Sequence, residues 1–366
     1  MLLRSSEDDP TVINLVISTT DMARKDLATL KNITDKDGIT YKVEHEIHDT
    51  MKELKLKKKW SGLGGADCII CEAKSIDWMN AEKIKLGFPI TRTANSSIEL
   101  YEILIFEGEG TIIKKPKDYD HRKGLTNQPL TSSDQHSITI LHSYVNVLGW
   151  FLKVIYRCHA SYECWIEKKT IEGEPIRRAK SVVRDMLKET TGLTLDQVAG
   201  ANSRGGTTND GNQDRRFFKS ESHDFVVACV AEKYKGTINC LHKNLSVILR
   251  VLSSTKEVNC EKLRDITTET SLLIAEKLPW VSLNHTIHVV LHHSVELIQI
   301  NNNWSIGSLS EEALESNNKF VRRYLEQFSR KMNPTDQLKD AMSRLIERSN
   351  PEILFHQRKF KNSPIL

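Results

Sequence analysis

Residues 11–18 read TVINLVIS and residues 39–47 read ITYKVEHEI. The first run is apolar and β-branched, which predicts a buried strand. In the second, Ile39, Tyr41 and Val43 alternate with polar residues and Ile47 returns to their face, the two-residue period of a half-buried strand. Between them, Thr19-Thr20 offers an N-cap, and Met22, Leu27 and Leu30 recur at helical spacing over 21–30. The DKDG turn at 35–38 separates that helix from the second strand. After His48-Asp49 a short basic helix is expected. Strand, helix, strand, helix is the order of an α/β sheet, and that is the fold class this opening predicts.

Downstream the pattern changes. CIIC at 68–71, GFPITRT at 87–93 and the helical ELYEILIF at 99–106 are followed by a Gly-, Lys-, Pro- and Ser-rich stretch at 109–137, which reads as a crossing. Residues 138–157, ITILHSYVNVLGWFLKVIYR, predict a buried helix. His142, Lys153 and Arg157 interrupt it too often for a membrane span. Residues 201–215 read as a second loop, and 224–300 is helical almost throughout. The segment 308–348 predicts two helices parted at Asn333-Pro334, since a proline in a helix interior breaks its continuation.

With 39% hydrophobic and 27% charged residues over 366 positions, the chain can bury a large core in two or three units, which excludes wholesale disorder. No run of 18 apolar residues occurs, so no membrane helix is expected. MLLRSSEDDP is not a secretory signal. Seven cysteines are few and odd in number, which argues for a reducing compartment. The net charge of +4 is mild, but it is concentrated. Lysines crowd KELKLKKK at 52–59, a second basic cluster spans 113–123, and the chain is basic again from Glu315 to its end. Such clusters mark either a polyanion-binding surface or ordinary solvated helix faces.

Four features can carry chemistry. Cys68 and Cys71, two residues apart, suit one metal, a redox pair, or two buried thiols. His285, His288, His292 and His293 can supply imidazoles. On a regular helix His288 and His292 share a face, whereas His288 and His293 stand about 140° apart. Ordinary zinc modules keep their ligands far closer than Cys71 and His288, so spacing favours plain surface or core histidines. Glu315 shares its side with Lys319, Arg322 and Arg330, as a salt-bridged face would, or as a metal-binding carboxylate beside phosphate-gripping bases would. Asp49 closes a strand just before the lysine cluster, as a helix cap or a functional strand-end acid.

These features resemble, in order and spacing, the catalytic core of the V(D)J recombination-activating recombinase and the related Transib transposases. Asp49 and the CxxC match that family's second catalytic Asp and its zinc cysteines. Ile90-Thr91-Arg92 with Leu100-Tyr101-Glu102 is similar to its SITR…RYE run, and IHVVLHHSVE to its zinc-histidine segment. IGSLSEEALESNNKFVRR, the most specific match, resembles the segment of its final catalytic Glu.

The resemblance implies a partial ribonuclease H-like sheet (1–65), a long, mostly helical zinc-binding insertion (66–306) and C-terminal helices carrying the final acid (307–366). It implies structural zinc on Cys68, Cys71, His288 and His293, choosing His293 over His292. Asp49 and Glu315 would bind Mg²⁺ or Mn²⁺ for DNA strand cleavage and transesterification. Lys55, Lys57, Lys58, Lys59, Lys319, Arg322 and Arg323 would grip the DNA backbone, in a nuclear homodimer, with a second recombinase subunit as a further partner. Only ten residues precede TVINLVIS, so the family's first catalytic Asp is expected to be missing, as in a truncated or degenerate copy. The alternatives are a non-enzymatic, zinc-stapled DNA-binding or assembly module derived from a transposon, and an unrelated helical protein.

Overall fold

The computed structural model describes residues 25, 29, 31–34, 38–42, 62–63, 67–108, 119–129, 138–166, 173–196, 211–219, 222–309, 320–321, 323–330 and 334–349. The chain divides into two compact units, 46–310 and 1–45 together with 311–366.

The expected ribonuclease H-like sheet is a correction: the described residues are mostly helical and do not form it. Their only named strands are β1 (Asn32–Thr34) and β2 (Thr40–Lys42), three residues each and paired antiparallel, Ile33 opposite Tyr41. Part of the alternating run is therefore a strand, but it folds back on its nearest neighbour. Gly38 sits at φ +81° just before β2, a conformation glycine adopts without strain. A short turn suffices for antiparallel pairing, whereas a parallel α/β sheet needs a crossover between strands. TVINLVIS and residues 43–49 lie outside the described residues.

Unit 46–310 is helical. α1 (Ala81–Leu86) and α2 (Ala94–Glu107) follow the CIIC knuckle, and α3 (Tyr119–Arg122) is a single turn. Thr93 and Ser96 form a reciprocal capping box that starts α2. α4 (Ile140–His159) is the central helix: Tyr144, Val147, Phe151, Val154 and Ile155 are buried along it, with Trp150 and Tyr156 on further faces. A helix apolar nearly all round must be enclosed, and α4 packs against α5 (Glu174–Thr191), α6 (Gly211–Phe217) and α10 (His285–His292). Each fully buried large side chain there contributes about 1.5–3 kcal/mol of transfer free energy. Its polar tips are also satisfied, Trp150 Nε1 donating to the Ser282 carbonyl and Tyr156 to Asp196.

α7 (His223–Ala228) and α8 (Lys235–Leu252) pack together, and α8 lies against α9 (Cys260–Lys277). Asn259 caps α9 through the Lys262 amide. Thr267, Thr270 and Ser271 face inward on α9 and return their hydroxyls to backbone carbonyls one turn earlier, so their burial costs little. α11 (Ser294–Ile300) continues from α10 after a break at His293. Among the described residues no helix is long and apolar enough to cross a membrane.

In the other unit, residues 320–321 and 323–327 are helical and α12 runs Pro334–Ser349, proline occupying the first turn where its missing N–H is harmless. Arg330 forks onto Asp340 at 2.9 and 3.0 Å, and its own amide donates to the same carboxylate. These bonds from Arg330 hold the Asp340 carboxyl down, at about 2.

Candidate metal centre

Cys68, Ile69, Ile70 and Cys71 form a buried knuckle. The Ile70 amide donates to Cys68 Sγ at 3.3 Å, and the Ile70 carbonyl accepts from the Thr91 and Arg92 amides. Arg92, 3% exposed, donates through Nε to the Cys68 carbonyl at 3.0 Å and through Nη2 to the Lys123 carbonyl at 2.8 Å. ITR at 90–92 thus clamps the knuckle. Gly124, at φ +85°, packs against the buried Asp67 carboxyl group, which a Cβ there would meet at 2.5–2.9 Å, so a side chain at this position is disfavoured.

The opposite wall is α10. Asn284 caps it, accepting from the Ile287 amide at 3.0 Å. One turn in, His288 is fully buried and stacks on Trp78, ring centroids 4.1 Å apart, with Phe88 edge-on at 5.3 Å. His293 takes φ −130° and ψ −1°, which ends α10 before α11 begins. On an unbroken helix His293 would point well away from His288; the break turns its ring inward instead.

Cys68, Cys71, His288 and His293 therefore meet, all buried, with one ligand atom from each lying within 4.8 Å of every other. Cys71 Sγ is 3.3 Å from His288 Nε2, and the two Nε2 atoms are 3.1 Å apart. A tetrahedron with metal–ligand bonds of about 2.0–2.3 Å has edges of roughly 3.3–3.8 Å. The residues fit a metal ion.

The electrostatics point the same way. Burial pushes the Cys68 thiol up, but hydrogen bonds from Cys71, His285, His288 and His293 outweigh it and hold Cys68 well below the ordinary thiol value. Its hydrogen bond with Cys68, with burial adding to it, pushes Cys71 far up. A divalent cation between the two thiols would stabilise both as thiolates. Burial lowers His288 to about 4, keeping its imidazole neutral and its lone pair free for a metal.

Of the residues expected to act, the structure brings these four together. His292, favoured over His293 by regular helix geometry, is not among them. Asp49, Lys55, Lys57, Lys58, Lys59, Glu315, Lys319 and Arg322 lie outside the described residues. Arg323 is exposed, with its guanidinium over the Phe328 ring and Nε on Gln327. Arg92 and Phe88 both stand in the GFPITRT stretch without a task assigned from sequence, and Trp78 lies outside every motif read there. The signal for Arg92 was an arginine beside apolar residues after CIIC; nothing local marked the two aromatic rings. No protein-family model matches the chain, and no curated protein matches it.

Proposed function

We propose that the chain is a DNA-handling subunit of the recombinase and transposase kind it resembles, built round a structural zinc ion on Cys68, Cys71, His288 and His293. The observation that carries this reading is the convergence of the two halves of that ligand set across 217 positions. A random pair of CxxC and histidine segments has no reason to meet, and the resemblance singled out His293 against simple helix geometry. Two thiolates and two imidazoles, with no fifth ligand grouped with them among the described residues, suit zinc in a closed, structural site.

In this reading Asp49 and Glu315 are the acids assigned to Mg²⁺ or Mn²⁺, and Lys55, Lys57, Lys58, Lys59, Lys319, Arg322 and Arg323 are the phosphate contacts. A second copy, a further recombinase subunit and a nuclear location belong to the same proposal. The closed coordination of the zinc favours a second reading, a non-enzymatic zinc-stapled DNA-binding or assembly module, because such an ion organises structure and offers no open position for substrate.

Incubating the zinc-loaded chain with supercoiled DNA and Mg²⁺ or Mn²⁺ separates them. Nicking or strand joining abolished by Glu315→Gln supports the recombinase reading. Salt-sensitive binding without cleavage supports the module. A chain that carries zinc and binds no DNA defeats both.

A further inference from the structure

A cavity of about 230 Å³ opens where the ends of α5 and α6 meet the start of α7. Its hydroxyls are already spent. Thr190 and Thr191 donate to the Met186 and Leu187 carbonyls one turn back, and Ser222 donates to the Arg216 carbonyl. The side-chain donors left are both charged, Arg216 and Lys219, and both are exposed. Arg216 gives one N–H to the Thr191 carbonyl at 3.3 Å and keeps the rest of its fork. No acid stands among the described residues that line the cavity. The end of α5 contributes about half a negative charge, which two full cations exceed. A ligand held here is therefore anionic.

The backbone that carries the two cations is anchored. Phe217 and Phe218, between them, are buried against Phe151, and the Lys219 amide donates to the Arg216 carbonyl at 3.2 Å. A further wall is the Phe225 ring, which keeps 37% of its surface exposed. Cations beside a bare aromatic ring are the elements that hold unpaired nucleic acid, the cations tracking the phosphates and the ring stacking on a base. A carboxylate would use the cations and leave the ring uncovered. The volume lies below the roughly 300–1,000 Å³ of pockets that enclose a whole small molecule, so the cavity suits one unit of a longer chain.

We propose that this cavity is a subsite for one nucleotide of single-stranded DNA, its phosphate on Arg216 and Lys219 and its base against Phe225. The inference rests on the DNA reading and deepens it, by naming a contact outside the three basic clusters of the sequence.

The zinc-loaded full chain is titrated into fluorescein-labelled oligo(dT) and a labelled duplex at stepped salt, with anisotropy as readout. Phe225→Ala should weaken single-strand binding about 5–10-fold, the size of one lost stack, with the salt dependence unchanged and the duplex unaffected. Lys219→Gln should weaken it about 2–3-fold and lower the salt slope by about 0.7, one phosphate contact on a single strand. Zinc content and Tm should stay as in the wild type, because both side chains are exposed. Should Phe225→Ala lower Tm, Phe225→Leu keeps apolar bulk without a ring and should show the same loss. Single-strand affinity and salt slope unchanged in all three variants overturn the site while the DNA reading stands. Equal losses of oligo(dT) and poly-glutamate binding on Lys219→Gln, with Phe225→Ala silent, would make the cavity a general anion patch and overturn it too. A chain that binds neither oligonucleotide fails at the DNA reading itself, and the subsite falls with it.

Discussion

Two buried histidine sites in unit 46–310 make opposite use of the same side chain. His242 on α8 is fully buried, its ring near-parallel to those of Phe151 and Phe218 at 5.8 and 5.6 Å, with Phe217 edge-on. Both its nitrogens are occupied: Nε2 donates to the Phe217 carbonyl at 3.0 Å, and Nδ1 accepts from His223 Nδ1. His288 and His293 are as deeply buried, yet their Nδ1 atoms find no partner among the described residues, and their Nε2 atoms converge with two thiols. Burial alone therefore does not mark a metal ligand. What separates the sites is whether the lone pairs are used up by backbone and neighbour or are aimed together at one point.

The comparison can be broken by removing the metal. Chelation, or Cys71→Ser, should cost several kcal/mol, which at roughly 2–4 °C per kcal/mol lowers Tm by about 10 °C or more, because binding energy here is folding energy. The His242 site should be indifferent to a chelator. Metal analysis and calorimetry on the purified chain check this; full stability of the Cys71→Ser protein would sink the metal centre.

Acid should sharpen the contrast next. Burial, with the His223 charge adding to it, depresses His242 to about 3. The folded state therefore binds its proton later than the unfolded chain, whose histidine titrates near 6.5. The stability from neutral His242 is present above pH 6.5 and is lost as pH falls from there towards about 3. His242→Phe should remove this part of the acid slope, measured by urea unfolding at stepped pH in matched zinc. An unchanged slope would mean that His242 is not buried neutral.

At neutral pH the same His242→Phe protein fills the volume but strands the Phe217 carbonyl and the His223 N–H, a loss of about 1–3 kcal/mol. Smallest should be His223→Ala. His223 is only partly buried, and its removal takes one donor from His242, about 0.5–1.5 kcal/mol. Thermal melts order the two; a larger loss for His223→Ala would mean that it has a task beyond holding the His242 tautomer.

Much of unit 46–310 was legible because its signals are local and periodic. The apolar face of 138–157 becomes α4, and in the other unit Pro334 opens α12. The opening was misread for the converse reason. Alternation in ITYKVEHEI states that a strand has two faces, but it does not state which strand is its neighbour, and Thr40–Lys42 chose 32–34 across a short turn.

For the candidate site, the chain by itself determined the chemistry: two thiols held at a two-residue spacing and a helix rich in imidazole. Those are properties of residue type and short spacing, which survive in any fold. Only tertiary structure decided which histidines serve. The break at His293, the Trp78 plane under His288 and the Arg92 clamp on the Cys68 carbonyl are consequences of packing between segments far apart in the chain. A ligand set is defined by where lone pairs meet, and no helical period carries that information across 217 residues.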